Sequence, residues 1–180
     1  MFVALDLSEA SRDELAGWRD GLLAARSDLR AVPADHLHVT LVFLGWQDEA
    51  SAASIAEAVG AAAGGLARPR LTAGEVRGVP PRGPRLFALD LRDEGDRAAA
   101  LQAAVSDALE DAGVYRPERR AWWPHVTLAR VKRGERRVEP LPAEPPALPP
   151  IEPAELTLFR STLRPHGALY EALARAGLRD

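Results

Sequence analysis

Asp35-His36-Leu37-His38-Val39-Thr40-Leu41-Val42-Phe43-Leu44-Gly45 is the stretch that decides the fold, because its centre, His38-Val39-Thr40, returns as His125-Val126-Thr127. With four His and five Thr in 180 residues, chance would place far fewer than one His-x-Thr, yet two occur and each opens an apolar run. Self-similarity of this kind dictates architecture, and here it reaches beyond the triplet. Phe2-Val3-Ala4-Leu5-Asp6-Leu7 is echoed by Phe87-Ala88-Leu89-Asp90-Leu91, and each Ala-Leu-Asp-Leu leads through a helical pattern to its own His-x-Thr. The chain therefore reads as one strand, helix, loop, strand unit used twice. Side chains at i and i+2 share a face of a strand, so His38 and Thr40 point one way while Val39, Leu41 and Phe43 point the other. A pseudo-two-fold fold that brings the copies face to face would set both histidines in one cleft.

The flanking sequence supplies the rest of an α+β fold. Residues 2–7 read as a strand, and Ser11-Arg12-Asp13-Glu14 as a capping box opening a helix that buries Leu15, Trp18 and Leu22. His38–Leu44 is a strand closed by Gly45, and residues 51–63 a helix with Ile55 and Val59 on one side. Residues 70–79 and 85–91 form a hairpin across Pro80-Pro81-Arg82-Gly83-Pro84. Asp96 caps a third helix, on which Leu101, Val105 and Leu109 recur every fourth residue until Gly113. Seven prolines within residues 140–153 mark an extended surface connection. Residues 154–161 and 168–174 close the fold as strands, the second equally readable as a short helix.

Bulk properties narrow the function. A chain of 180 residues fits one domain, residues 1–180, with two pseudo-symmetric lobes, and buries about 70% of its unfolded surface without staples. The absence of cysteine excludes disulfides, thiolate zinc sites and thiol catalysis. No basic leader precedes Asp6, and no segment approaches the ~18 apolar residues of a membrane span. The expectation is a cytoplasmic monomer without membrane contact. Formal charge is −3, yet residues 116–137 hold eight Arg or Lys against Glu118 and Glu135. A basic segment around the second motif suits a polyanionic substrate, and equally a solvated loop in an arginine-rich chain.

Two histidines in one cleft form an acid and base pair, since an imidazole near its unperturbed pKa of about 6.5 both accepts and donates a proton near neutrality. Thr40 and Thr127 can each hydrogen-bond a non-bridging phosphate oxygen, with Arg or main-chain donors adding charge-assisted contacts. That set suits in-line cleavage of a phosphodiester, one histidine activating the nucleophile and the other protonating the leaving oxygen. No cofactor is called for. Neither motif sets a Cys or an acidic ligand beside its His, so a zinc site is disfavoured. His36 and His166 read as surface or supporting residues. Trp122 and Trp123 divide between stacking on a base and packing the loop.

His38-Val39-Thr40-Leu41-Val42-Phe43-Leu44-Gly45 and Pro124-His125-Val126-Thr127-Leu128-Ala129-Arg130 resemble the paired signatures of the two-histidine phosphoesterase superfamily. Nearly the whole chain resembles its RNA 2′,3′-cyclic phosphodiesterase branch of the LigT and ThpR type. The Phe2–Leu7 opening and the Ser161-Thr162-Leu163-Arg164-Pro165-His166-Gly167-Ala168-Leu169-Tyr170 ending match that branch too. The resemblance implies a bilobal fold in which two antiparallel sheets form a central cleft with helices outside. It also implies hydrolysis of a terminal 2′,3′-cyclic phosphate to a 2′-phosphate, with RNA ends or nucleotides as partners. By position, His38 would be the acid and His125 the base, Thr40 and Thr127 would bind the phosphate, Arg130 would stabilise its charge and Phe2 would stack on a base. Pseudo-symmetry leaves the two histidine roles exchangeable. Strict alternation from His125 places Arg130 on the wrong face, unless a bulge or the strand end re-aims it. The alternatives are 2′-5′ RNA ligation, action on other cyclic nucleotides, and a non-catalytic module that binds RNA ends.

Overall fold

Alternating and β-branched runs become strands, and the alanine-rich periodic runs between them become helices. The computed structural model describes every residue except 136, 137, 142, 143, 165, 166 and 180, so His166 and two arginines of the basic segment, Arg136 and Arg137, lie outside the described residues. In chain order the elements are β1 (Phe2–Asp6), α1 (Glu9–Leu23), β2 (Leu29–Ala31), β3 (His38–Phe43), α2 (Ala52–Ala63), β4 (Leu71–Val79), β5 (Leu86–Asp93), α3 (Arg97–Asp111), β6 (His125–Val131), β7 (Glu155–Arg164) and β8 (Gly167–Gly177). The strands run in the order β4-β5-β6-β3-β1-β7-β8, with β2 added on β6, and every pairing is antiparallel. The class is α+β, as expected. The two expected sheets, however, are halves of one eight-stranded sheet, joined at a single register pair, Val39 with Val126.

Each half repeats the other in register. Asp6 pairs with His38 and Ala4 with Thr40 in one, and Asp90 pairs with His125 and Ala88 with Thr127 in the other. Beneath them, Leu5, Val39, Leu89, Val126 and Leu128 are fully buried and join Leu15, Ile55, Leu101, Val105 and Leu109 of the helices in one core cluster. Burying each such side chain stabilises the fold by about 1.5–3 kcal/mol, which is what holds the motif strands rigidly against the helices.

Several local expectations change. α1 starts earlier than the Ser11 capping box, because the Ser8 hydroxyl accepts the Ser11 N–H at 3.1 Å. Its buried stripe is Leu15, Ala16 and Arg19, while Trp18 and Leu22 are only partly buried. Arg19 tolerates burial because its guanidinium donates to the Val32 carbonyl and pairs with Asp20. At α3, Asp96 occupies the cap position with φ +56° and no side-chain bond, and the Asp93 carboxylate instead accepts from Ala98 N at 3.1 Å and Ala99 N at 2.8 Å. The second closing segment is a strand, and the pair runs longer than expected. The proline-rich connection carries no helix or named strand among its described residues, yet Leu141 and Ile151 are buried and Ile151 bridges Leu71.

Candidate active site

The single pair joining the halves also assembles the chemistry. Val39 stands opposite Val126, so His38 and Thr40 on β3 and Thr127 and His125 on β6 flank that pair on the face that the two valines leave. Two histidines and two threonines thus lie on one face of the sheet, either side of the single pair that joins its halves.

Both strands carry a bulge at the same place. Val3 pairs with Val42 but Ala4 with Thr40, and Phe87 pairs with Ala129 but Ala88 with Thr127, so Leu41 and Leu128 are the extra residues. Two consecutive buried residues follow each threonine, Leu41 and Val42 in β3 and Leu128 and Ala129 in β6. The bulge shifts the phase of alternation, so that Phe43 and Arg130 emerge on the histidine side. The objection that alternation raises against Arg130 is removed by this extra residue.

Neighbouring carbonyls settle which imidazole nitrogen does chemistry. His38 Nδ1 lies 2.7 Å from the His36 carbonyl, and His125 Nδ1 lies 2.8 Å from the Trp123 carbonyl. A carbonyl can only accept, so Nδ1 carries a proton in both rings and Nε2 is the titrating atom. The Thr40 hydroxyl donates to Nε2 of neutral His38 at 3.1 Å. His38 is pushed down to about 4, first by burial and then by the nearby charges of His36, His125 and Arg130, against the raising effect of the His36 carbonyl. His125 is also lowered, again chiefly by burial, with Arg120 adding to the fall and the Trp123 carbonyl and Asp90 opposing it.

The cleft is divided. His38, Thr40, Thr127 and Arg130 line one depression of about 330 Å³, and His125 lines an adjoining one of about 350 Å³. Thr40 and Phe43 belong to both and form the shared wall. Where the repeat predicts a single cleft, His38 and His125 line two adjoining basins that have Thr40 and Phe43 in common.

Aromatic surroundings differ between the halves. His38 stacks on Phe2 at 4.9 Å and meets Tyr170 edge-on at 5.6 Å, whereas His125 stacks on Trp123 at 4.2 Å. Phe2, expected to stack on a base, is only 3% exposed; its ring backs the His38 imidazole and lines the same depression. Trp122 packs the loop by donating to the Thr40 carbonyl at 3.0 Å, and Trp123 donates to Asp90, whose other oxygen holds Arg77 at 2.8 Å. His36 supplies the carbonyl that orients His38, and its own ring lies 4.3 Å from Tyr170. Arg30, Ser161 and Tyr170 also line the first depression; the latter two belong to the ending that carries the resemblance but have no role assigned there, and nothing in the sequence singles out Arg30, since β2 is only three residues long. Among the described residues no three of His, Cys, Asp and Glu converge as a metal site. No helix among them is long and apolar enough to cross a membrane.

Comparison with known proteins gives consistent results. The chain is 29% identical over 178 residues to the RNA 2′,3′-cyclic phosphodiesterase of Thermotoga maritima, covering 96% of this chain and 91% of that one. It is 34% identical over 159 residues to the RNA 2′,3′-cyclic phosphodiesterase of Thermus thermophilus, covering 83% and 76%. The crystal structure of TT0787 of Thermus thermophilus superposes with a TM-score of 0.82 at 28% identity, over 99% of this chain and 97% of that one. The E. coli LigT structure complexed with 3′-AMP shares the fold, with a TM-score of 0.80 at 24% identity over 99% and 97% of the two chains. The family model of the 2′-5′ RNA ligase superfamily matches residues 7–164, and with most of its length so matched the chain belongs to that superfamily.

Proposed function

We propose that the protein hydrolyses terminal 2′,3′-cyclic phosphates of RNA to 2′-phosphates without a metal ion, with His38 and His125 as its general acid and base. The observation that carries this reading is the matched state of the two imidazoles. Each donates Nδ1–H to a main-chain carbonyl and keeps Nε2 for proton transfer, on strands that meet at Val39 and Val126. The four relatives named RNA 2′,3′-cyclic phosphodiesterase support the same substrate class.

In the proposed reaction, Nε2 of the base takes a proton from water as its oxygen bonds to phosphorus. The bond from phosphorus to the 3′ oxygen breaks, and Nε2 of the acid delivers a proton to that oxygen. Thr40 and Thr127 hold the non-bridging oxygens, and Arg130 offsets charge on the phosphoryl group. The resemblance assigns the acid to His38. RNA ends and nucleotides with a cyclic phosphate are the proposed partners, and the protein acts as a monomer. A 5′-hydroxyl attacking in place of water would give a 2′-5′ linkage by the same proton transfers, a second reading that the superfamily's description supports.

The test is an assay of purified protein, in excess EDTA, on RNA ending in a 2′,3′-cyclic phosphate. The expected product is the 2′-phosphate, and His38→Ala and His125→Ala should each lower kcat by roughly 10²–10⁴. Loss of turnover with EDTA would remove the metal-free mechanism, and full activity in either variant would remove that histidine from it. Adding RNA with a 5′-hydroxyl and looking for a joined product tests ligation.

A further inference from the structure

Each motif histidine has an aspartate as its register partner, and the two aspartates are used differently. Asp6, opposite His38, holds Arg12 at 3.1 Å. Asp90, opposite His125, accepts the indole N–H of Trp123 through one carboxylate oxygen and holds Arg77 at 2.8 Å through the other. Trp123 in turn makes two contacts on His125: its ring stacks on the imidazole at 4.2 Å and 15°, and its carbonyl accepts Nδ1–H at 2.8 Å. An anchored indole thus bears on both the tilt of the imidazole and its tautomer. In the other half those tasks are split between the Phe2 ring and the His36 carbonyl, and phenylalanine has no N–H to anchor.

The neighbouring strand is shaped to seat this carboxylate. β4 pairs Ala73 with Leu91 and Val76 with Leu89, so Gly74 and Glu75 together oppose Asp90 as a bulge. A Cβ on Gly74 would stand 3.1 Å from the Asp90 carbonyl oxygen and 3.3 Å from its Cβ and Oδ2, so glycine at the bulge leaves room for the close approach. Asp90 lines neither depression and reaches the reaction through its neighbours. We propose that Asp90 is the positioning residue of His125, anchoring Trp123 so that the indole holds the imidazole in one orientation with Nε2 facing the substrate. This rests on the reading of His125 as one of the proton-transferring pair. The charged or titrating groups that face His125 are Asp90 on β5, Asp107 on α3, His38 on β3, and Tyr115, Glu118 and Arg120 before β6. Burial lowers His125 most; the Trp123 carbonyl raises it, Arg120 lowers it and Asp90 raises it. Removing the Asp90 charge should therefore move the titration of His125 to lower pH.

Nitrogen NMR of the imidazoles in the free protein tests this without turnover. Neutral His125 should be the Nδ1–H tautomer in the wild type and in Asp90→Asn, whose amide oxygen still accepts the indole N–H, and a mixture of tautomers in Asp90→Ala. Asp90→Asn should also titrate His125 at lower pH, with the His38 tautomer unchanged as evidence of folding. In the assay on RNA ending in a cyclic phosphate, Asp90→Ala and Trp123→Phe should each lower kcat by about 10–10²-fold through misorientation. Asp90→Asn should recover most of that loss at its own optimum pH. The double variant should be no slower than the slower single, because both changes break one anchor. Wild-type tautomer and titration in the Asp90 variants would overturn the proposal, as would a double variant slowed by the product of the two single effects. Should Asp90→Ala not fold, the Asp90→Asn titration decides alone. The expected NMR changes in a protein that turns over no cyclic phosphate would overturn the phosphodiesterase reading and leave the positioning supported.

Discussion

A histidine acts through the nitrogen its neighbours leave unprotonated, and at both His38 and His125 a carbonyl two residues earlier makes that atom Nε2. Burial holds His38 at about 4 and lowers His125 as well, so in the free protein both rings lose their proton on the acidic side of 6.5. A pair that needs one charged and one neutral member is then favoured on the acidic side of that pH and declines as pH rises past it. Because kcat/KM reports the free protein and kcat the complex, kcat/KM should peak below pH 6.5, and kcat should peak at higher pH, where the bound phosphate's negative charge raises both rings. Rate profiles across about pH 4–9 check this, and a kcat/KM maximum above 7 would contradict it. Removal of the base should erase the acidic limb and removal of the acid the alkaline one, which assigns the roles. The four motif side chains were legible because a repeated triplet is rare. Phe2 took its base-stacking role from the resemblance alone, and the neighbours that cover it could not be foreseen because they come from β7 and β8, far along the chain.

At the scale of elements, the two bulges explain most of what alternation alone missed. An extra residue leaves no mark in composition, so Leu41 and Leu128 look like ordinary core positions although they decide where Phe43 and Arg130 point. The caps have a similar lesson. Asp93 and Asp96 are both reasonable caps on paper, but only Asp93 reaches the free N–H groups of α3. Asp93→Ala should therefore cost about 1 kcal/mol, within the range for a lost cap, while Asp96→Gly should be neutral or mildly stabilising because glycine accepts φ +56° without strain. Denaturant unfolding of both variants checks this, and equal losses would refute it. Helix positions were otherwise readable from periodicity, whereas β2 was too short to carry a period.

For the molecule as a whole, the two halves could be foreseen from the repeat and their antiparallel pairing from the resemblance, but not the strand order. β1 lies between β3, which follows it closely, and β7, which arrives about 150 residues later. A chain ended at residue 153 would leave the long side of β1 unpaired, and exposed strand edges template association. Such a truncation should sediment as aggregates and show no turnover, and a soluble, active fragment would contradict the pairing. The neighbours Phe159 and Tyr170 that surround Phe2 and His38 come from the same late hairpin. During translation, then, the N-terminal half-site spends most of synthesis as an open edge awaiting its outer wall, so the interval before β7 and β8 emerge from the ribosome is when this chain most needs a chaperone.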